Sequence, residues 1–126
     1  NSRGILIFKF FATSGVGVSN VKIQRNQFTD SVNASVQVQI HNTALETGLE
    51  IDDNDFSQNV GLRTANLGLI HVNLADTLSH ALVSVTDNRA TLSGTFGSAV
   101  AAYGIMLRGN GPVVVSGNVL DGGDVG

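Results

Sequence analysis

The charged residues of this chain recur at spacings that matter chemically. Asp53 and Asp87 each stand immediately before an asparagine, Asn54 and Asn88, and Arg25 stands before Asn26. If those asparagines mark equivalent points of successive structural units, the three charged side chains line one column, with neighbouring units ~4.8 Å apart. Two carboxylates at about 5 Å can serve as the acid and nucleophile of a retaining glycosidase. The same pair suits Ca²⁺, which takes several carboxylate and carbonyl oxygens. A plainer outcome is a surface ion pair between Arg25 and Asp53, with Asp87 in water. His41 and His71 lie about one unit apart and could share a metal or move protons near neutral pH. Zinc wants three or four ligands, however, and no third stands at a suitable spacing. His80 would join them only if its loop folded back. Together with Gln37, Gln39 and Asn73, the two histidines also make a neutral, hydrogen-bonding face. Such a face, in water, could follow a regular, hydroxyl-rich polysaccharide.

Those columns exist only if the chain repeats, and it does. The pattern apolar-x-apolar-x-x-Asn-x-apolar occurs at Val21/Ile23/Asn26/Phe28 and again at Leu49/Ile51/Asn54/Phe56. It returns at Val83/Val85/Asn88/Ala90 and at Val113/Val115/Asn118/Leu120, and is weakest at Ala90. The asparagines are separated by 28, 34 and 30 residues. Between copies runs a second strand with a period of two. Val36, Val38 and Ile40 alternate with Gln37, Gln39 and His41, Ile70, Val72 and Leu74 with His71 and Asn73, and Ile105 and Leu107 with Met106 and Arg108. Each unit reads as a strand, an Asn-containing turn, a loop of variable length and another strand. The variable loops span 29–35, 57–67 and 91–104. No window combines a helical period with good caps.

A unit of ~30 residues cannot bury its own apolar face, so units must stack into a continuous core. Asn at a tight corner tolerates unusual backbone angles, and its amide can bond to the backbone and to the next Asn. A ladder of Asn26, Asn54, Asn88 and Asn118 would satisfy polar groups that the corner otherwise buries bare. Phe28 and Phe56 fall at inward positions and read as core.

These units resemble the coils of right-handed parallel β-helix proteins, the pectin-lyase-like superfamily. The resemblance covers Val16 to about Asp121, and Ile5 to Phe10 fits a strand from a preceding coil. It implies an all-β solenoid of about four to five coils, with 1–126 as one domain of a longer chain or an oligomer. The fold hosts lyases, hydrolases, tailspikes, adhesins and structural spikes, so it implies little about function. Polygalacturonase-type members carry Asn-Thr-Asp, Asp-Asp, Gly-His-Gly and Arg-Ile-Lys motifs. Here only Asp52-Asp53 resembles one of them. No set equivalent to the Ca²⁺ carboxylates and catalytic Arg of pectate lyases can be assigned. A β-sandwich with strands every 8–12 residues, roughly, is the competing architecture.

Composition narrows the partners. With 10 acidic and 7 basic residues and a net charge of −3, the chain lacks the clustered cations that nucleic acid requires. The longest apolar stretch, Gly4 to Ala12, is too short to span a bilayer and contains Lys9. There is no cysteine and no tryptophan, hence no thiolate chemistry and no indole platform for a sugar. Gly15-Val16-Gly17 lacks the third glycine of a phosphate loop, and no nucleophile elbow is visible. The expectation is a structural or binding solenoid of a secreted or surface-displayed fibre or spike, perhaps touching carbohydrate and needing no cofactor. The alternative is a segment of a polysaccharide hydrolase or lyase working through Asp53, Asp87 and Arg25, with Ca²⁺ the one ion these residues would suit. Further coils or copies of the chain are the other expected partners.

Overall fold

A computed structural model describes residues 4–9, 18–29, 34–40, 48–58, 68–74, 80–92 and 103–122. Its elements are β1 (Ile5–Lys9), β2 (Val21–Gln24), β3 (Gln27–Thr29), β4 (Val36–Ile40), β5 (Leu49–Asp52) and β6 (Asp55–Gln58). They continue as β7 (Gly68–Asn73), β8 (Val83–Thr86), β9 (Arg89–Leu92), β10 (Tyr103–Arg108), β11 (Val113–Ser116) and β12 (Val119–Gly122). Each strand pairs in parallel with the strand three places along the chain, so the twelve form three four-stranded sheets. Their orders are β1-β4-β7-β10, β11-β8-β5-β2 and β12-β9-β6-β3. This is a β-solenoid of four coils, and β1 supplies the expected strand from a preceding coil. No helix among the described residues is long and apolar enough to cross a membrane.

Registers follow the repeat. Val21, Leu49, Val83 and Val113 stand side by side, as do Ile23, Ile51, Val85 and Val115. On the opposite wall Ile5, Val36, Ile70 and Ile105 are aligned. The inward residues of the inner coils are almost completely buried, and each such side chain stabilises the fold by roughly 1.5–3 kcal/mol. Phe28 and Phe56 stack at 4.7 Å between ring centroids, tilted by 6°, and Ala90 and Leu120 continue that column.

The structure adds a third strand per coil where the repeat suggested only a turn and a loop. Strands β3, β6, β9 and β12 follow each ladder Asn, and β6, β9 and β10 reach into the segments read as variable loops. Each of these post-ladder strands is short and turns a single apolar residue inward (Phe28, Phe56, Ala90 or Leu120), so no alternation marks it in the sequence.

Candidate functional site

The corner between β2 and β3, and its equivalents above, is built from two residues. The first adopts a left-handed backbone: φ is 52° at Arg25, 52° at Asp53, 53° at Asp87 and 66° at Gly117. Such angles are natural for glycine and tolerated by Asp, but they are strained for arginine. Each corner N–H donates to a carbonyl one coil on, Arg25 to Asp52 (3.2 Å), Asp53 to Thr86 (3.1 Å) and Asp87 to Ser116 (3.0 Å).

The second corner residue is the ladder asparagine. Asn54 Oδ1 accepts from the backbone N–H and the Nδ2 of Asn26, both at 3.0 Å. Asn88 Oδ1 does the same for Asn54 at 3.0 and 2.9 Å, and Asn118 Oδ1 for Asn88 at 3.0 and 2.9 Å. In the other direction, Nδ2 of Asn54, Asn88 and Asn118 donates to Ile23, Ile51 and Val85 carbonyls. The amide thus satisfies corner groups on both sides, each of which would cost about 1–3 kcal/mol if buried bare.

Arg25, Asp53 and Asp87 therefore stand in one column, on consecutive coils, with exposed side chains. No ion pair joins Arg25 to Asp53 among the described residues; the pair that forms is Lys22–Glu50, at 2.9 Å. The Asp87 carboxylate lies over Gly117, where a Cβ would overlap it. Among the described residues, no group of three or more His, Cys, Asp or Glu side chains could hold a metal ion.

Beside this column runs a polar surface that the motif search did not single out. Glu50 receives Lys22 on one carboxylate oxygen and Gln24 Nε2 on the other, at 2.6 Å. Thr86 Oγ1 donates to Asp52 Oδ1 at 2.7 Å. Asn20, Lys22, Glu50, Ser84 and the exposed Leu82 line an open groove of about 380 Å³. Lys22, Glu50 and Ser84 each precede a ladder Asn by the same interval, and that alignment was the available signal.

The face expected to lie in water is different. Gln37, Gln39, His71 and Asn73 do point away from the core, in the columns Leu6/Gln37/His71/Met106 and Phe8/Gln39/Asn73/Arg108. Yet Gln37 is only 6% and His71 only 7% exposed, so both faces of β4 and β7 are enclosed at these positions. Gln37 Nε2 donates to Gln39 Oε1 at 3.3 Å, while Gln37 Oε1 and His71 Nδ1 are buried without a partner. Burial, assisted by the Arg108 charge, holds the His71 pKa below the usual 6.5. His41 lies outside the described residues.

His80 belongs to neither array. It is buried beneath Gly109 and Gly111 of the next coil, where a Cβ on either would overlap it. Its Nδ1 lies 2.7 Å from the Ala81 carbonyl. It borders a cavity of about 100 Å³ with Val72 and Leu74, on the core side of β7 and across the strand from His71. No protein family's model, no curated protein and no solved structure matches this chain.

Proposed function

We propose that this chain is a structural and binding module, a rigid stretch of solenoid in a secreted or surface-displayed fibre- or spike-like protein. The observation that supports it most is the continuous amide ladder. It fixes the coil spacing from Asn26 to Asn118, so outward side chains repeat at a constant interval, as a scaffold for presentation or for a repeating ligand requires. In this reading the solenoid is right-handed and of the pectin-lyase-like kind, in keeping with the handedness of parallel crossovers. Carbohydrate contact falls best on the open columns Lys22/Glu50/Ser84 and Gln24/Asp52/Thr86/Ser116, whose groups accept and donate to hydroxyls. The enclosed Gln37 and His71 would have to be uncovered first.

A second reading, a depolymerase or lyase segment, has one observation in its favour. Asp53 and Asp87 occupy consecutive positions of one exposed column beside Arg25, which would sit over a glycan lying across the corner. Polysaccharide cleavage, followed as reducing ends and as the absorbance of unsaturated products, separates the two. The structural reading expects no cleavage of neutral or acidic glycans. Cleavage that disappears in Asp53→Asn and Asp87→Asn, with the β-sheet circular dichroism intact, would replace it with the enzyme.

A further inference from the structure

We propose that the open end of this solenoid is completed by a second copy of the same chain, stacked head to tail in register. The inference rests on the solenoid reading above and adds the partner. Three sets of observations carry it.

The first is the stagger of the strands. All three sheets have four strands, but the sheet containing β1 begins one coil earlier than the other two and stops one coil earlier. One end therefore carries an extra strand, β1, and the other lacks the strand that would follow β12 and lie beside β10. In a head-to-tail stack, β1 of the second copy fills that vacancy. Its β2 and β3 then continue β11 and β12.

The second is hydrogen-bond polarity. Every inner ladder Asn gives its backbone N–H to the next Asn Oδ1. Among the described residues, the Asn118 N–H has no such acceptor and Asn26 Oδ1 has no such donor. The corner bonds break off in the same sense. Gly117 N–H waits for a carbonyl equivalent to Gln24, and the Asn118 carbonyl waits for an N–H equivalent to Gln27, as the inner coils show. Donors at one end match acceptors at the other, and the polarity forbids pairing two like ends through the ladder.

The third is side-chain complementarity. Val113, Val115 and Leu120 are 46%, 51% and 49% exposed, whereas their counterparts Val83, Val85 and Ala90 are buried. Extending the register places Ile5 beside Ile105 and Ile7 beside Leu107 inside the core, and Leu6 beside Met106 outside it. Phe8, which is 49% exposed, comes to rest against Arg108 as a cation–π contact. Arg25 of the incoming copy takes the corner after Gly117. That residue has no side chain, so the guanidinium meets the Asp87 carboxylate lying over it.

Such an interface is heterologous and does not close, so it propagates into filaments. Cysteine cross-linking tests it cleanly, because the chain has no cysteine of its own. Leu6 and Met106 would be neighbours across the junction, at a parallel-strand spacing of ~4.8 Å that a disulfide spans. Within one copy they lie three strands apart, roughly 14 Å, which it cannot span. The double variant L6C/M106C should give, on oxidation, a covalent ladder of dimers, trimers and longer species. An equimolar mixture of L6C and M106C should stop at the dimer, and neither alone should cross-link. Phe8→Lys, which sets a cation against Arg108, should reduce unmodified assemblies to monomers by light scattering. A monodisperse monomer for the unmodified chain would overturn the proposal, as would cross-linking of one single variant with itself, the mark of like-end pairing. Either failure leaves the solenoid and its glycan assay untouched.

Discussion

The inner coils and the last coil share one sequence pattern and have opposite surroundings. Asn54 and Asn88 are each 1% exposed, with a coil on either side, and Leu49, Ile51, Val83 and Val85 pack around them. Asn118 has a coil on one side only, and all four residues of β11 are exposed. Of the eight large apolar residues that are exposed among the described ones, five lie on β11 and β12. The apolar-x-apolar-x-x-Asn-x-apolar unit thus specifies the shape of a coil but not its burial. Burial comes from the neighbour, which is the physical meaning of a solenoid.

The comparison breaks most sharply at the ladder. Asn54→Ala should cost about 3 kcal/mol in urea denaturation, because it strips partners from both adjacent coils inside the core. Asn118→Ala should cost about 1 kcal/mol, since water reaches the groups it leaves behind. Equal losses would mean that the last coil is as enclosed as the rest. Core truncation is the next largest test. Val85→Ala should cost roughly 2 kcal/mol and leave a cavity, while Val115→Ala in a monomeric sample should cost well under 1 kcal/mol.

A smaller effect sharpens the contrast on the outer wall, between the enclosed His71 and the open groove around Lys22. Burial and Arg108 lower the His71 pKa in the folded state, so below pH 6.5 the unfolded chain binds the proton first. The stability tied to neutral His71 is complete above that pH and declines as the pH falls towards the folded pKa. The urea midpoint should drop between about pH 7.5 and 5.5, and His71→Leu should flatten that drop. The least change is expected at the exposed corner. Arg25→Gly relieves a left-handed arginine and should raise stability by up to about 1 kcal/mol. A loss would show that the guanidinium holds something in place.

The repeat, the ladder residues and the strand preceding the first coil were legible in the sequence because each rests on a spacing. The third strands were not, since a strand with one inward residue has no period. The corner column was found for its charges, yet its reason lay in Gly117. A glycine in the same column as Arg25, Asp53 and Asp87 signals a left-handed backbone, which explains the position before any chemistry is assigned to it. Burial of Gln37 and His71 could not be read, because alternation says which face a residue takes and not whether that face is covered. His80 was obscured for a related reason: its neighbours, Gly109 and Gly111, come from the next coil.

The ladder itself is tested most directly by amide hydrogen exchange, followed residue by residue in Phe8→Lys protein shown to be monomeric. The backbone N–H groups of Asn54 and Asn88, which donate to Asn88 Oδ1 and Asn118 Oδ1, should be among the slowest to exchange. The Asn118 N–H should exchange quickly. Fast exchange at Asn54 and Asn88, on the scale of Asn118, would contradict the stacked-amide account.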